Sequence, residues 1–274
     1  MKYWFSVILS LVVVFSQSSW SNTSVSKEVQ TLLDKESAHY IQALKTTEGE
    51  ELIELALKLQ DSGITDKEVL DTAEKVALAQ HEFFNHIKNK KTKKKKGDKE
   101  KANNAYRAAA SLARFLAGSG NTDYFTTLDI FMRESKSRGL RNLSKTLMTR
   151  TGWYIDRNEI MNDFSSYEPG KSLYQIRYTN LLNAQDRTYG RYAAESMRRQ
   201  NNTDKVLVSR MAELIDENFT KPGEGNQLDA IAWYIRFIGR EALDDHRDLL
   251  EKVSAYPLLD KKLKKHVNKA LKGK

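Results

Sequence analysis

Two histidines in a helix-forming run carry the first candidate chemistry, in His81-Glu82-Phe83-Phe84-Asn85-His86. Zinc-peptidase chemistry uses HExxH, which sets two imidazoles one turn apart on a helix face beside a glutamate base. Here the histidines are five positions apart, about 140° around a helix axis. They diverge, so the run is expected to be ordinary helix without a metal. Asp244-Asp245-His246 offers a carboxylate beside an imidazole. Adjacent helical side chains point about 100° apart, which orients the imidazole poorly. A helix cap and an acidic first turn explain both aspartates through the helix dipole. The chain contains neither the nucleophile-elbow pattern GxSxG nor the phosphate loop GxxxxGK[ST]. The sequence therefore nominates no catalytic residue, no metal ligand and no cofactor.

Charge supplies the second candidate. Residues 88–101 hold nine lysines against Asp98 and Glu100, which accounts for +7 of the formal net charge of +9. The basic character is one block, whereas a nucleic-acid-binding domain spreads Lys and Arg over a face. Nucleic acid is accordingly not favoured as a partner. The simplest reading is a solvated loop inserted between helices, since like charges at that density oppose compact folding. Its functional reading makes Lys90, Lys91, Lys93, Lys94, Lys95 and Lys96 a tether for an anionic partner: lipid headgroups, anionic envelope polymer or, less favoured, nucleic acid. An aromatic cluster is the third candidate: Trp153, Tyr154, Phe164, Tyr167, Tyr174, Tyr178, Tyr189 and Tyr192. It could line a concave surface for a sugar or peptide. Core packing is the simpler account, because Tyr174 with Tyr178, and Tyr189 with Ala193, are one turn apart.

The elements that must position these residues read as helices. Proline occurs only at 169, 222 and 257 and cysteine is absent, so there are few breakers and no disulfides. Period-two strand patterns are hard to find. Four stretches share one format: Leu59–Asp66, Leu116–Asp123, Met197–Asp204 and Ile238–Asp245. Each closes an apolar pattern, runs through small or polar residues and ends on Asp, preceded in three of them by Thr (Thr65, Thr122, Thr203), and the Asp or the Thr can cap a following helix. The separations of those aspartates are 57, 81 and 41, and removing the lysine block reduces the first to 43. Asp163 stands near the middle of the double interval and marks a degenerate unit there. Near the end, Leu259, Leu263, Val267 and Ala270 form an apolar stripe with lysines elsewhere around the helix, which suits the closing cap of a stack.

On these turns the chain resembles the HEAT-repeat family of armadillo-type helical repeats. Gly63-Ile64-Thr65-Asp66 and Gly120-Asn121-Thr122-Asp123 are similar to the Gly-to-Asp turn between its paired helices, and the likeness covers about residues 48–274. Pro169-Gly170 interrupts one unit, and the first helices lack the family's usual proline kink. The resemblance implies an all-α solenoid of about four or five degenerate pairs of antiparallel helices, with a binding surface and no catalytic residues to carry over.

The N-terminus supplies an address. Lys2, an apolar run from Trp4 to Phe15 and then small polar residues have the order of a secretory signal peptide over residues 1–21. The run is shorter than the roughly 20 residues that span a bilayer. Residues 22–274 are then one exported helical-repeat domain, periplasmic or extracellular. The expected function is a non-enzymatic binding or scaffold module for a protein or an anionic envelope ligand. The alternative is a cell-envelope enzyme that cuts cell-wall glycan with a carboxylate pair, which needs two carboxyls about 5–10 Å apart across a cleft.

Overall fold

A computed structural model describes residues 26–89 and 96–273. They form thirteen α-helices and no strand. In order these are α1 (Lys27–Thr46), α2 (Gly49–Gln60), α3 (Lys67–Asn89), α4 (Lys96–Gly118), α5 (Phe125–Glu134), α6 (Arg138–Met148), α7 (Thr151–Met161), α8 (Leu173–Asn183), α9 (Arg187–Arg199), α10 (Lys205–Asn218), α11 (Asn226–Glu241), α12 (Leu243–Ala255) and α13 (Lys261–Leu271). Residues 1–21, expected from the sequence to be a signal peptide, lie outside the described residues.

The helices stack as pairs in chain order. α3 packs on α4, α5 on α6, α8 on α9, α10 on α11 and α12 on α13. Alternate helices also touch, so α8, α10 and α12 form one layer and α9, α11 and α13 a second. The same alternation joins α1 to α3 and α2 to α4 to α6. This is an all-α solenoid arrangement. The closing helix buries Leu263, Val267 and Ala270 with Leu259 just before it, as the apolar stripe predicts.

The first two Gly-to-Asp turns are the same structure twice. Ser62 Oγ donates to the Leu59 carbonyl at 2.8 Å and accepts the Ile64 N–H at 3.2 Å. Ser119 Oγ donates to the Leu116 carbonyl at 2.6 Å and accepts the Asn121 N–H at 3.1 Å. Gly63 and Gly120 have φ of 74° and 75°, a region in which a Cβ is costly. In the third turn Asn201, at φ 50°, takes the left-handed position.

The predicted caps divide two and two. Asp66 Oδ1 accepts the Val69 N–H at 3.0 Å, and Asp204 Oδ1 accepts those of Val206 and Leu207. Asp123 is not a cap. It sits inside a short 3₁₀ turn and donates its own N–H to Asn121, the residue that does the capping. Asp245 is not a cap either. Only Ala242 separates α11 from α12, so α12 starts at Leu243 and Asp245 falls in its first turn, before a kink at His246. Asp163 opens no helix: its carboxylate accepts the Ser165 N–H in the loop, and Ser172 with Gln175 forms the capping box of α8. The lysine block is also shorter as a connection than the sequence suggests. Lys88 and Asn89 end α3, and Lys96 to Lys101 begin α4. Phe84 and Ile87 of α3 pack with Ala102 and Ala105 of α4, Lys is a good helix former, and Asp98 suits a first turn. Lys90, Lys91, Lys93, Lys94 and Lys95 lie outside the described residues.

α7 falls outside these pairs, and it sets up the interior described next. A large apolar cluster runs from Leu44 to Tyr154 and another from Met161 to Ala270, and Trp153 packs against both. α7 lies between them and packs on α8 and α4. It crosses both matching turns: a Cβ on Gly63 would stand 2.8 Å from the Met161 methyl, and one on Gly120 2.8 Å from Ile155 Cγ1.

Candidate functional site

The sequence-predicted positions do not converge. His81 is buried against Phe131, with ring centroids 4.7 Å apart, while His86 on the same helix is exposed. Among the described residues no group of three His, Asp or Glu is arranged to hold a metal. Burial holds the His81 imidazole below its ordinary value of 6.5, with the Glu134 carboxylate opposing. Protonation therefore favours the unfolded chain, so stability is full above about pH 6.5 and declines as pH falls below it. His266 is lowered too and adds a decline of the same sign. We expect His81→Gln to flatten part of this decline, read as urea midpoints at about pH 5 and about pH 7. An unaltered decline would assign it to other groups.

Most of the aromatic cluster packs inward; Phe164 and Tyr167 lie instead half-buried in the loop between α7 and α8, where the Tyr167 hydroxyl donates to Glu28 at 2.7 Å. Trp153 stacks on Tyr189 at 5.6 Å and meets Tyr154 and Tyr192 edge-on. Tyr174 stacks on Tyr178 at 4.1 Å, and Tyr178 is fully buried. These rings surround a polar seam that ties the two apolar clusters together. Asp61, at the end of α2, is buried and accepts the Tyr192 hydroxyl at 2.6 Å. Its second oxygen accepts Arg199 Nη2 at 2.9 Å and Nε at 3.2 Å. The Asp61 carbonyl accepts the Tyr178 hydroxyl, which also bonds Ser196. From α7, Arg157 donates to the Tyr192 oxygen at 2.8 Å and to the Gly118 carbonyl at 2.7 Å, and Asn158 donates to the same carbonyl. The Arg157 guanidinium lies 5.3–5.8 Å from the Trp153, Tyr154 and Tyr192 rings. A second tie joins α8 to α1: Arg177 Nη1 donates to both Glu36 oxygens at 2.7 and 2.8 Å. Burial is the main reason the hydroxyls of Tyr178 and Tyr192 are held well above their ordinary value. Such groups do not ionise at neutral pH, and their partners are protein groups. The seam is a structural clasp.

An accessible site lies toward the C-terminal end of the stack. A groove of about 930 Å³ opens between the ends of α9, α11, α12 and α13. Arg198 enters from α9, Trp233, Arg236 and Arg240 from α11, and Lys265, His266 and Lys269 from α13. The close approach of α11 and α13 that forms its floor depends on small residues, Gly239 facing Ala270. Arg240 pairs with Glu241 at 3.0 Å. Arg198, Arg236, Lys265 and Lys269 have no ion-pair partner among the described residues. The Arg236 guanidinium lies 4.3 Å over the Trp233 ring, and that of Arg198 lies 5.8 Å from it. Stacking occupies the face of a guanidinium and leaves its N–H edge free for an oxyanion. His266 reports the local field: burial first, then Arg236 and the lysines 265, 262 and 269, hold its imidazole below the ordinary value. Glu241, Asp244 and Asp245 occupy the α11–α12 corner of the groove.

The lysines of α13 were visible in the sequence as the polar side of an amphipathic helix. Trp233, Arg236 and Arg198 were not singled out, because they belong to two other helices and only the stacking brings them beside α13. Compared with family models, with curated proteins and with solved structures, the chain matches none.

Proposed function

We propose that the protein is an exported, non-enzymatic helical-repeat module that holds an anionic partner in the groove between α9, α11, α12 and α13. The observation that carries this reading is the convergence there of four cations without ion-pair partners, Arg198, Arg236, Lys265 and Lys269. Like charges brought together from three helices create a local positive potential that an acidic partner relieves. The paired helices of the stack support the likeness to HEAT units, whose surfaces serve recognition. Lys90, Lys91, Lys93, Lys94, Lys95 and Lys96 act on this reading as an additional tether.

The test is retention of the exported chain on immobilised heparin at low and physiological salt. Exposed charges are screened beyond about 8 Å at physiological ionic strength, so retention should fall steeply with salt. The variant Arg236→Ala, Lys265→Ala, Lys269→Ala should elute at clearly lower salt with its helical circular dichroism intact. Deleting residues 90–95 should lower retention separately. Equal retention of the groove variant would remove the groove from the reading and leave only the lysine block.

A further inference from the structure

The groove is not uniformly basic, and this difference selects among anionic partners. Its two faces carry opposite charge. Arg198 at the end of α9, Arg236 on α11, and Lys265 and Lys269 on α13 present unpaired cations. The α11–α12 corner presents Glu241, Asp244 and Asp245. Glu241 is already neutralised by Arg240 at 3.0 Å, and Asp244 meets Arg247 only at 3.6 Å. Asp245 has no ion-pair partner among the described residues. A polymer carrying one sign of charge throughout gains along the cationic face and is repelled at the corner. A segment that carries both signs gains at both.

The aromatic residue argues in the same direction. Sugar rings and nucleobases are held by stacking on an open aromatic face. Arg236 and Arg198 already lie on Trp233, with Arg191 at 6.0 Å, so the indole positions guanidinium groups instead of offering itself to a ligand. The remaining lining includes Phe237, Ala242, Leu243 and Ala270, which gives an apolar base between the charged walls. An apolar base with cations on one side and acids on the other fits protein better than glycan or nucleic acid.

Building on the reading of the groove as an anion-binding site, we infer that its occupant is a protein segment of mixed charge: an acidic run against Arg198, Arg236, Lys265 and Lys269, followed by a basic residue at the Asp244–Asp245 corner. The order of charges along the segment fixes its direction in the groove.

Three probes test this by fluorescence anisotropy with the full chain: a peptide with a glutamate run followed by lysines, an all-glutamate peptide of the same acidic length, and heparin. The mixed peptide should bind tighter than the all-glutamate peptide. Lys265→Ala with Lys269→Ala should weaken both peptides. Asp244→Asn with Asp245→Asn should cost the mixed peptide about fivefold, the scale of exposed ion pairs, and should strengthen heparin. Because these side chains are solvent-facing, the variants are expected to keep the helical signal. If heparin and the all-glutamate peptide bind at least as tightly as the mixed peptide, the mixed-charge inference is overturned while the anion-binding reading stands. If neither peptide nor heparin responds to loss of Lys265 and Lys269, both fall.

Discussion

Replacing Asp61 by alanine is expected to cost about 3 kcal/mol of folding stability, near the low end of what breaking a buried ion pair costs. The carboxylate is 4% exposed and the Arg199 side chain 39%, so water screens the arginine partly and the cost stays below the upper end of that range. The alanine removes the acceptor of the Tyr192 hydroxyl and of two Arg199 N–H groups. It also withdraws the carboxylate to which Arg157 is linked through the Tyr192 hydroxyl. Asp61→Asn keeps an oxygen for Tyr192 and should lose less. The measurement is urea denaturation followed by circular dichroism. Because the seam couples the clusters on either side of Trp153, Asp61→Ala should also broaden the transition as the two halves begin to melt separately. A midpoint within experimental error of the parent would show that the seam contributes nothing net, as happens when desolvation cancels attraction.

That prediction rests on contacts no local pattern reveals. Asp61 belongs to the turn Leu59–Asp66, which the sequence marks as polar punctuation. Its partner Arg199 stands 138 residues later, in another turn of the same format. The helices, the apolar stripe of α13 and the caps at Asp66 and Asp204 were legible because each depends on residues within a few positions of one another. The Ser-Gly turns at 62–63 and 119–120 were legible for the same reason. Local pattern failed at Asp123, where Asn121 two residues earlier takes the cap, and where a junction was unusually tight or unusually long. Between α11 and α12 one residue suffices, so Asp245 falls inside the helix it was expected to cap. Between α7 and α8 the loop through Pro169-Gly170 carries Asp163 away from any helix start. The lysine block misled by composition: repulsion argues for a loop, but Lys has good helix propensity, and Ile87 and Ala102 hold the flanking turns in place. The groove was legible only in part. A basic face on α13 is written in the sequence, while the stacked arginines opposite it arise from the order in which helices pack.

Gly239→Ala is expected to destabilise the protein by about 1–3 kcal/mol, the range for overpacking a dense interior, although alanine is the better helix former. In an open helix the exchange would gain about 1 kcal/mol. Gly152 of α7, which has nothing within 4 Å of a built Cβ, supplies that control, and Gly152→Ala should be neutral or slightly stabilising. At Gly239 the new methyl would overlap the Ala270 methyl and stand 2.9 Å from the Ala270 Cα. Neither neighbour is the end of a flexible chain, so relief requires α13 to move away from α11. Overpacking therefore outweighs propensity. The compensating Ala270→Gly removes the methyl overlap and should restore part of the loss, which a general helix defect would not allow. The same displacement carries Lys265 and Lys269 away from Trp233 and Arg236 across the groove. Retention on heparin should consequently fall in Gly239→Ala and recover in the double variant, in parallel with the thermal midpoint. Loss of stability with unchanged retention would place the anion-binding surface elsewhere than between α11 and α13.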